Sequence, residues 1–427
     1  MTANAPLPSA TTPARAWNHA ATALVVLTVF GLPFGNLFFY SSALLALIGM
    51  GFVISHWRQI AADTRIRQFL LLFALFWVPM LFSLLGAPHP AISIAASTRY
   101  MLFAFTGIAL IHLQAAGSNR QIIIGTAAVL AFWTADALMQ FSLGFNIRGF
   151  PYQAGERLTG LFYPWPNIGY VMAVLSPAAF EGVRLWAGRQ RLAWLALVPW
   201  FAVILLSSQR AALLTLALAI VAYPLHLHLA GRLPAVRRLL IPLLLVVTAV
   251  GLVASQADVV RSRLDSAAGM LSGDYDAANR ASSMRLPLWT AAVKIYRDRW
   301  INGIGPRAYP EVVKGYLADD PDWAITRAGH PHFSALEIAA ETGTIGLLGY
   351  AVALILLLRR FLSSRGDERL ASGPWFLTAL LASFPLASTI SFYASMGSTL
   401  LWIPLACACA QLPRTRGVGT AGKLNHA

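Results

Sequence analysis

Apolar residues in this chain run continuously for about 20 positions at a time and are separated by short polar breaks. A run of that length is what an α-helix needs to cross ~30 Å of hydrocarbon, where every backbone group must be satisfied internally. Twelve such runs lie at about 18–34, 37–55, 68–86, 91–113, 121–143, 162–180, 191–207, 210–229, 239–256, 333–358, 374–390 and 395–412. The pattern predicts an all-α integral membrane protein of about 12 transmembrane helices. The Leu32-Pro33-Phe34-Gly35-Asn36 break divides the first two spans. No small-residue cleavage site follows them, so the first reads as a retained helix and not a signal peptide.

The spacing of the runs gives the domain organisation. Residues 1–16, rich in Ala, Pro and Thr, are expected to be a disordered tail; 17–256 carry helices 1–9, and 333–412 carry helices 10–12. Residues 413–427 form a second tail. Between the helical blocks, residues 257–332 form the one break long enough for an extramembrane subdomain. Helical spacing recurs inside it, over 258–271 and 286–299, the latter with Trp289, Ala292, Val293 and Tyr296 on one face. Gly303, Gly305 and Pro306 then break the chain, and a short amphipathic helix is expected around 310–317.

Composition agrees with the pattern: the chain is 57% hydrophobic and only 11% charged, which a water-soluble core of 427 residues does not reach. The net charge of +15 raises the question of a nucleic-acid partner. Its distribution answers it. Alternate loops on one side, with the two tails, hold 18 cations against four anions, whereas the long loop is nearly balanced, with ten cations and nine anions. This is the positive-inside asymmetry and not a nucleic-acid footprint. It predicts cytoplasmic termini and an extracytoplasmic loop. Cys407 and Cys409, alone and inside the last span, read as apolar filler.

Several polar residues on the predicted outer side are candidates for chemistry. Pro287 suits the first turn of a helix, which places Arg285 beside free N–H groups and a positive dipole end that favour an anion; the alternative is an arginine snorkelling to lipid phosphates. Arg210 follows Ser207-Ser208-Gln209 in a very short turn, at the mouth of the bundle. Arg99 sits about eight residues inside its helix, where a charge is costly unless paired or wet, and Asp136 of the next helix lies at similar depth, so an ion pair is expected with ligand binding as the alternative. His330 and His332 stand where the loop re-enters the membrane. Below His332, Leu336, Ala339, Gly343 and Gly346 share a face, a stripe that permits close helix packing or a lipid groove. Glu341 is half a turn out of phase with His332 and is expected to be a structural hydrogen-bonding group. Asp274-Tyr275-Asp276 matches the Asp-x-Asp of metal-dependent sugar transferases, but its small polar flanks favour a solvated turn.

The run from His332 to Leu347, with Leu336-Glu337 and Glu341-Thr342-Gly343-Thr344-Ile345-Gly346, resembles the signature of the O-antigen ligase and polymerase superfamily: His-Asn, Leu-Gln, then Glu-x-Gly-x-x-Gly. Phe333 stands for the Asn and Glu337 for the Gln. Upstream, Arg285 to Trp289 with Gly303-Ile304-Gly305 resembles the family's Arg-x-x-Leu-Trp and Gly-x-Gly segments, and Ser208-Gln209-Arg210 its Ser-x-Arg element. The likeness covers roughly 205–352.

The resemblance implies a GT-C-like membrane enzyme, without cofactor or metal, in the bacterial inner membrane. It implies transfer of a glycan from undecaprenyl diphosphate to a sugar hydroxyl of lipid A-core, or to another glycan repeat in a polymerase. On this reading His332 is the general base and Arg210 and Arg285 bind the diphosphate. His330 orients His332 or contacts phosphate, and Arg99 is a further substrate-binding candidate. The partners are the lipid-linked donor, the acceptor and membrane lipids, with no nucleic acid. A multi-pass transporter is the rival of another class. Its polar sites belong near the bilayer midplane between repeats, whereas here they crowd one end.

Overall fold

The computed structural model describes residues 12–114, 118–152, 157–188, 192–232, 274–282, 284–317, 329–386 and 388–413. Eleven of the twelve predicted spans fall within these residues, two of them but for residues 191 and 387, and each holds helix; the predicted span 239–256 and the predicted loop helix 258–271 lie outside them.

In chain order, five helices open the bundle: α1 (Thr12–Phe30), α2 (Leu37–Ala62), α3 (Thr64–Phe82), α4 (Pro90–Leu113) and α5 (Ser118–Leu143). Next come α6 (Ile168–Val174) and α7 (Ser176–Ala187), then α8 (Val198–Leu206) and α9 (Arg210–Leu229). After the undescribed stretch follow three short helices, α10 (Tyr275–Ala281), α11 (Leu286–Asp298) and α12 (Tyr309–Tyr316). The chain closes with α13 (Ser334–Ser363), α14 (Gly366–Ala382) and α15 (Ser395–Ala410). Six of these, α2 to α5, α9 and α13, are long and apolar enough to cross a membrane. The span expected at 162–180 is a pair, α6 and α7, bent by 61° where Pro177 follows the join, so together they count as at most one broken span. The protein is therefore an all-α multi-pass membrane protein, with several spans shorter or more broken than a hydropathy window suggests.

Packing of the bundle relies on small residues where helices touch and on aromatics where they leave room. Gly49 of α2 faces the Phe105 carbonyl of α4 so closely that a Cβ would fall 2.0 Å from its oxygen. Gly349 of α13 meets the Leu75 carbonyl of α3 in the same way, at 2.2 Å. Trp402 of α15 sits at the centre of an aromatic cluster with Phe69, Phe73, Phe76 and Tyr100, mostly in edge-to-face geometry. Cys407 and Cys409 are free and buried in α15.

The segment before α13 is built into the bundle through a break in that helix. Gly343 adopts φ 66, ψ −161, which interrupts the ladder and orphans groups on both sides of it. Residues 300–305 take their place: the Ile304 and Gly305 amides donate to the Ala340 and Glu341 carbonyls (3.1 and 2.9 Å), and the Thr344 and Ile345 amides donate to the Trp300 and Ile301 carbonyls (2.7 and 3.2 Å). Two backbones can approach this closely only without side chains between them. A Cβ on Gly303 would fall 2.4 Å from the Glu341 carbonyl carbon, and one on Gly343 would fall 2.4 Å from that of Ile301. At Gly343 the small-residue stripe below His332 thus serves close packing, and its partner there is a loop and not a helix.

Candidate functional site

Four segments bring their ends to one place. The turn before α9 is fixed from below: Ser207 caps onto Ile204, and the Gln209 side-chain carbonyl accepts from the Tyr170 amide of α6 at 3.0 Å. Arg210, the first residue of α9, is thereby held at the bundle end. Arg285 precedes α11, with its amide bonded to the Ser282 hydroxyl and Pro287 in the first turn. Arg307 lies between the Gly303-Ile304-Gly305 loop and α12. Its backbone amide donates to Glu341 Oε2 at 2.7 Å, while the Tyr309 amide donates to Oε1 at 3.2 Å. Glu341 is buried, so its role is the structural one expected of it: it anchors the chain that carries Arg307.

The His330-Pro331-His332 turn is fixed from both sides. Trp289 of α11 donates its indole N–H to the Pro331 carbonyl at 2.9 Å and lays its ring against Phe333. From the other side comes the connection between α14 and α15, which hydropathy had assigned in part to a span. The Ser388 amide donates to the His332 carbonyl at 3.3 Å, and the Ser388 carbonyl faces His332 Nδ1 at 3.3 Å. A carbonyl only accepts, so Nδ1 carries the proton and Nε2 is left as the basic nitrogen. His330 Nε2 faces the Thr389 carbonyl at 3.2 Å, and its Nδ1 takes the His332 amide at 3.3 Å and lies 3.5 Å from Glu337. Glu337 in turn accepts from the Ser391 hydroxyl and, at 3.0 Å, from the Phe392 amide. Glu337 thus pins the 388–392 connection against the two histidines.

These elements enclose a cavity of about 650 Å³ whose lining includes Arg157, Arg210, Arg285, Arg307, His330 and His332, with no carboxylate among the lining residues. Electrostatics follow from that composition. Burial, then the neighbouring His330 and Arg285, pushes the His332 imidazole down to about 2, so it is neutral. Burial, then Arg157 and Arg210, pushes the Arg285 guanidinium down to about 10, which leaves it charged but short of negative neighbours. Backbone geometry singles out the same place. The four non-glycine residues with positive φ among the described residues, Ser208, Met284, Arg307 and His332, all line this cavity. Such conformations cost on the order of 1–3 kcal/mol each and persist where the surroundings dictate them, as at working sites.

Of the residues singled out from sequence, His332, His330, Arg210 and Arg285 converge here. Arg99 does not line this cavity. It lines a neighbouring polar cavity of about 180 Å³, which shares Arg307 and Ala394 with the first. The expected Arg99–Asp136 ion pair is not made: Arg99 Nε donates to the Ala95 carbonyl at 3.1 Å, while Asp136 accepts from the Ile147 amide at 3.1 Å and from Asn146 at 3.4 Å. Succession in the chain did not make the two helices neighbours: α4 packs on α2, α3 and α15, whereas α5 packs on α1, α7 and α8, and the 144–151 turn supplies the partners of Asp136. Asp274 accepts from the Asp276 amide at the start of α10, with both carboxylates exposed, which is the turn geometry its flanks suggested. Sequence reasoning missed Arg157, Arg307, Glu337 and the 388–391 connection. The only available signal was the run of hydroxyl residues around Pro385 in a supposed span.

Fold and cavity together define a class: an all-α multi-pass membrane protein whose polar chemistry gathers in one arginine- and histidine-lined chamber made by helix ends. Residues 195–351, which include α9, α11, α12 and the first half of α13, match the family described as O-antigen ligase, so this part of the chain, which carries most of the cavity's arginines and both histidines, is similar to that family. No curated protein matches the chain.

Proposed function

We propose that the protein transfers a glycan from undecaprenyl diphosphate to a sugar hydroxyl of lipid A-core at the periplasmic face of the bacterial inner membrane, with inversion at the anomeric carbon. The observation that carries this reading is a cavity with four arginines and a neutral histidine but no carboxylate among its lining residues. Such a chamber suits a polyanion, and planar guanidinium forks match phosphate oxygens in pairs. Arg210 and Arg285 bind the donor diphosphate, and His332 is the general base.

In the reaction the acceptor hydroxyl oxygen bonds to the anomeric carbon as the bond from that carbon to the diphosphate oxygen breaks. The bonding electron pair leaves with the diphosphate, where the arginines stabilise it, and the acceptor proton passes to His332 Nε2. Diphosphate is a good leaving group, so no general acid is needed. The surrounding cations keep His332 a weak base in the empty chamber. A bound diphosphate offsets those cations and raises its basicity when the donor is in place. His330, whose ring lies against that of His332 at a 50° tilt with centroids 4.0 Å apart and is tied to Glu337, orients the base.

Deleting the gene and resolving the lipopolysaccharide on a gel tests the reading. Loss of the whole ladder with accumulation of free lipid-linked polymer is the expected result. A single-repeat band would instead assign polymerisation, and an unchanged ladder would overturn both.

A further inference from the structure

The smaller cavity has a composition of its own. Arg99 of α4 and Arg307 face it together with Tyr100, Tyr393, Ser395 and Ser398. No carboxylate lines it, and neither arginine has an ion-pair partner among the described residues. Two like charges at one small chamber repel each other unless an anion or water sits between them. A volume of about 180 Å³ exceeds the needs of a single water many times over. The Ser398 hydroxyl is 1% exposed, lines the cavity and has no hydrogen-bond partner. The Tyr100 hydroxyl is turned to the Trp402 indole, so among these groups it is the Ser398 hydroxyl that is left open. A buried polar group left open on a polar cavity points to a ligand that completes it. The chamber is also well held: the Tyr393 hydroxyl is 3.1 Å from the Thr342 hydroxyl beside the α13 break, and Glu341 fixes the backbone of Arg307.

We propose that this chamber is a second anion subsite, which takes a phosphate group carried by the acceptor while the larger cavity takes the donor diphosphate. The proposal rests on the transfer reaction above for the identity of the anion's carrier. Arg307, which lines both cavities, is the wall through which the two substrates sense each other.

The test uses the full-length protein in nanodiscs, with inorganic phosphate and inorganic pyrophosphate as calorimetric probes. Pyrophosphate binding should be lost in Arg285→Ala and kept in Arg99→Gln. Phosphate binding should be weakened at least tenfold in Arg99→Gln and in Ser398→Ala, and kept in Arg285→Ala. Retained pyrophosphate binding shows that the variants are folded. Phosphate binding unchanged in both chamber variants, or lost equally in Arg285→Ala, overturns the second subsite. In a transfer assay, Arg99→Gln should raise the KM for a phosphorylated acceptor about tenfold with kcat and the donor KM little changed, and should leave a phosphatase-treated acceptor unaffected. Equal KM effects on both acceptors, or none on either, overturn the acceptor as the carrier. A wild type that binds phosphate in the Arg99 chamber yet transfers nothing would overturn the proposed reaction and leave the subsite standing.

Discussion

At the scale of single residues, the chamber depends on His332 being both neutral and correctly turned. The Ser388 carbonyl at its Nδ1 fixes the tautomer, and the positive φ of 56° fixes the direction of the side chain. His332→Ala should lower transfer by about 10²–10⁴-fold, the usual worth of a general base. Thermal unfolding in detergent should change little. Normal glycan-capped product from that variant would remove the base assignment. In the proposed reaction the active form is the neutral imidazole, and in the empty chamber burial and the neighbouring His330 and Arg285 push its pKa down to about 2, so the free protein holds it neutral above that value. The profile of kcat/KM for the donor, which reports the free protein, should therefore show no acid limb from His332 near pH 6.5. A limb there that disappears in His332→Ala would contradict the buried, cation-flanked setting. Arg285→Lys keeps the charge but loses the planar fork, and should weaken pyrophosphate binding by about tenfold or more. Full affinity in that variant would leave Arg285 no bidentate role.

At the scale of elements, the break in α13 organises the site. By bending away at Gly343, the helix frees carbonyls that capture residues 300–305, and this capture delivers Arg307 to the cavity and Glu341 to its anchor. A Cβ at Gly303 or Gly343 would both clash with backbone and oppose a positive φ. Gly343→Ala and Gly303→Ala should each cost about 1–3 kcal/mol or more and lower the melting temperature. Gly51→Ala is the contrasting control: in α2, with no atom within 4 Å of the added methyl, it should leave stability unchanged or raise it by up to about 1 kcal/mol. Equal melting temperatures for all three variants would dismiss the locked break.

At the scale of the whole molecule, the charge asymmetry predicts which end of the bundle faces outward. A cysteine replacing Lys314, exposed on α12, should react with an impermeant maleimide added to spheroplasts. One replacing Arg365, exposed between α13 and α14, should react only after the membrane is opened. The native Cys407 and Cys409 are buried and should give little background. The reverse pattern would invert the topology and move the chamber away from the face where the proposed acceptor is found.

Much of this molecule was legible in its sequence, for identifiable reasons. Hydrophobic runs report helices because the bilayer leaves the backbone no other solution, so each of eleven predicted spans holds helix, although only six of the helices among the described residues, or seven with the bent pair, are long and apolar enough to cross. His332, Arg285 and Arg210 stood out because each charge or imidazole lay at a helix end next to a proline or a tight turn, and such local signals survive without knowledge of neighbours. What sequence could not decide was who faces whom. Arg99 and Asp136 stand on consecutive helices that do not pack against each other, so their expected pair is absent. Arg307 looked like one loop cation among ten until a carboxylate 34 positions away fixed its backbone. The 388–391 connection looked apolar enough to span, yet it supplies the carbonyls that set both histidines. Periodicity and charge are properties of a segment, and sequence determines them directly. The rotation of one helix against another, and the loop that enters a break, depend on contacts between distant residues, and only the tertiary structure decides those.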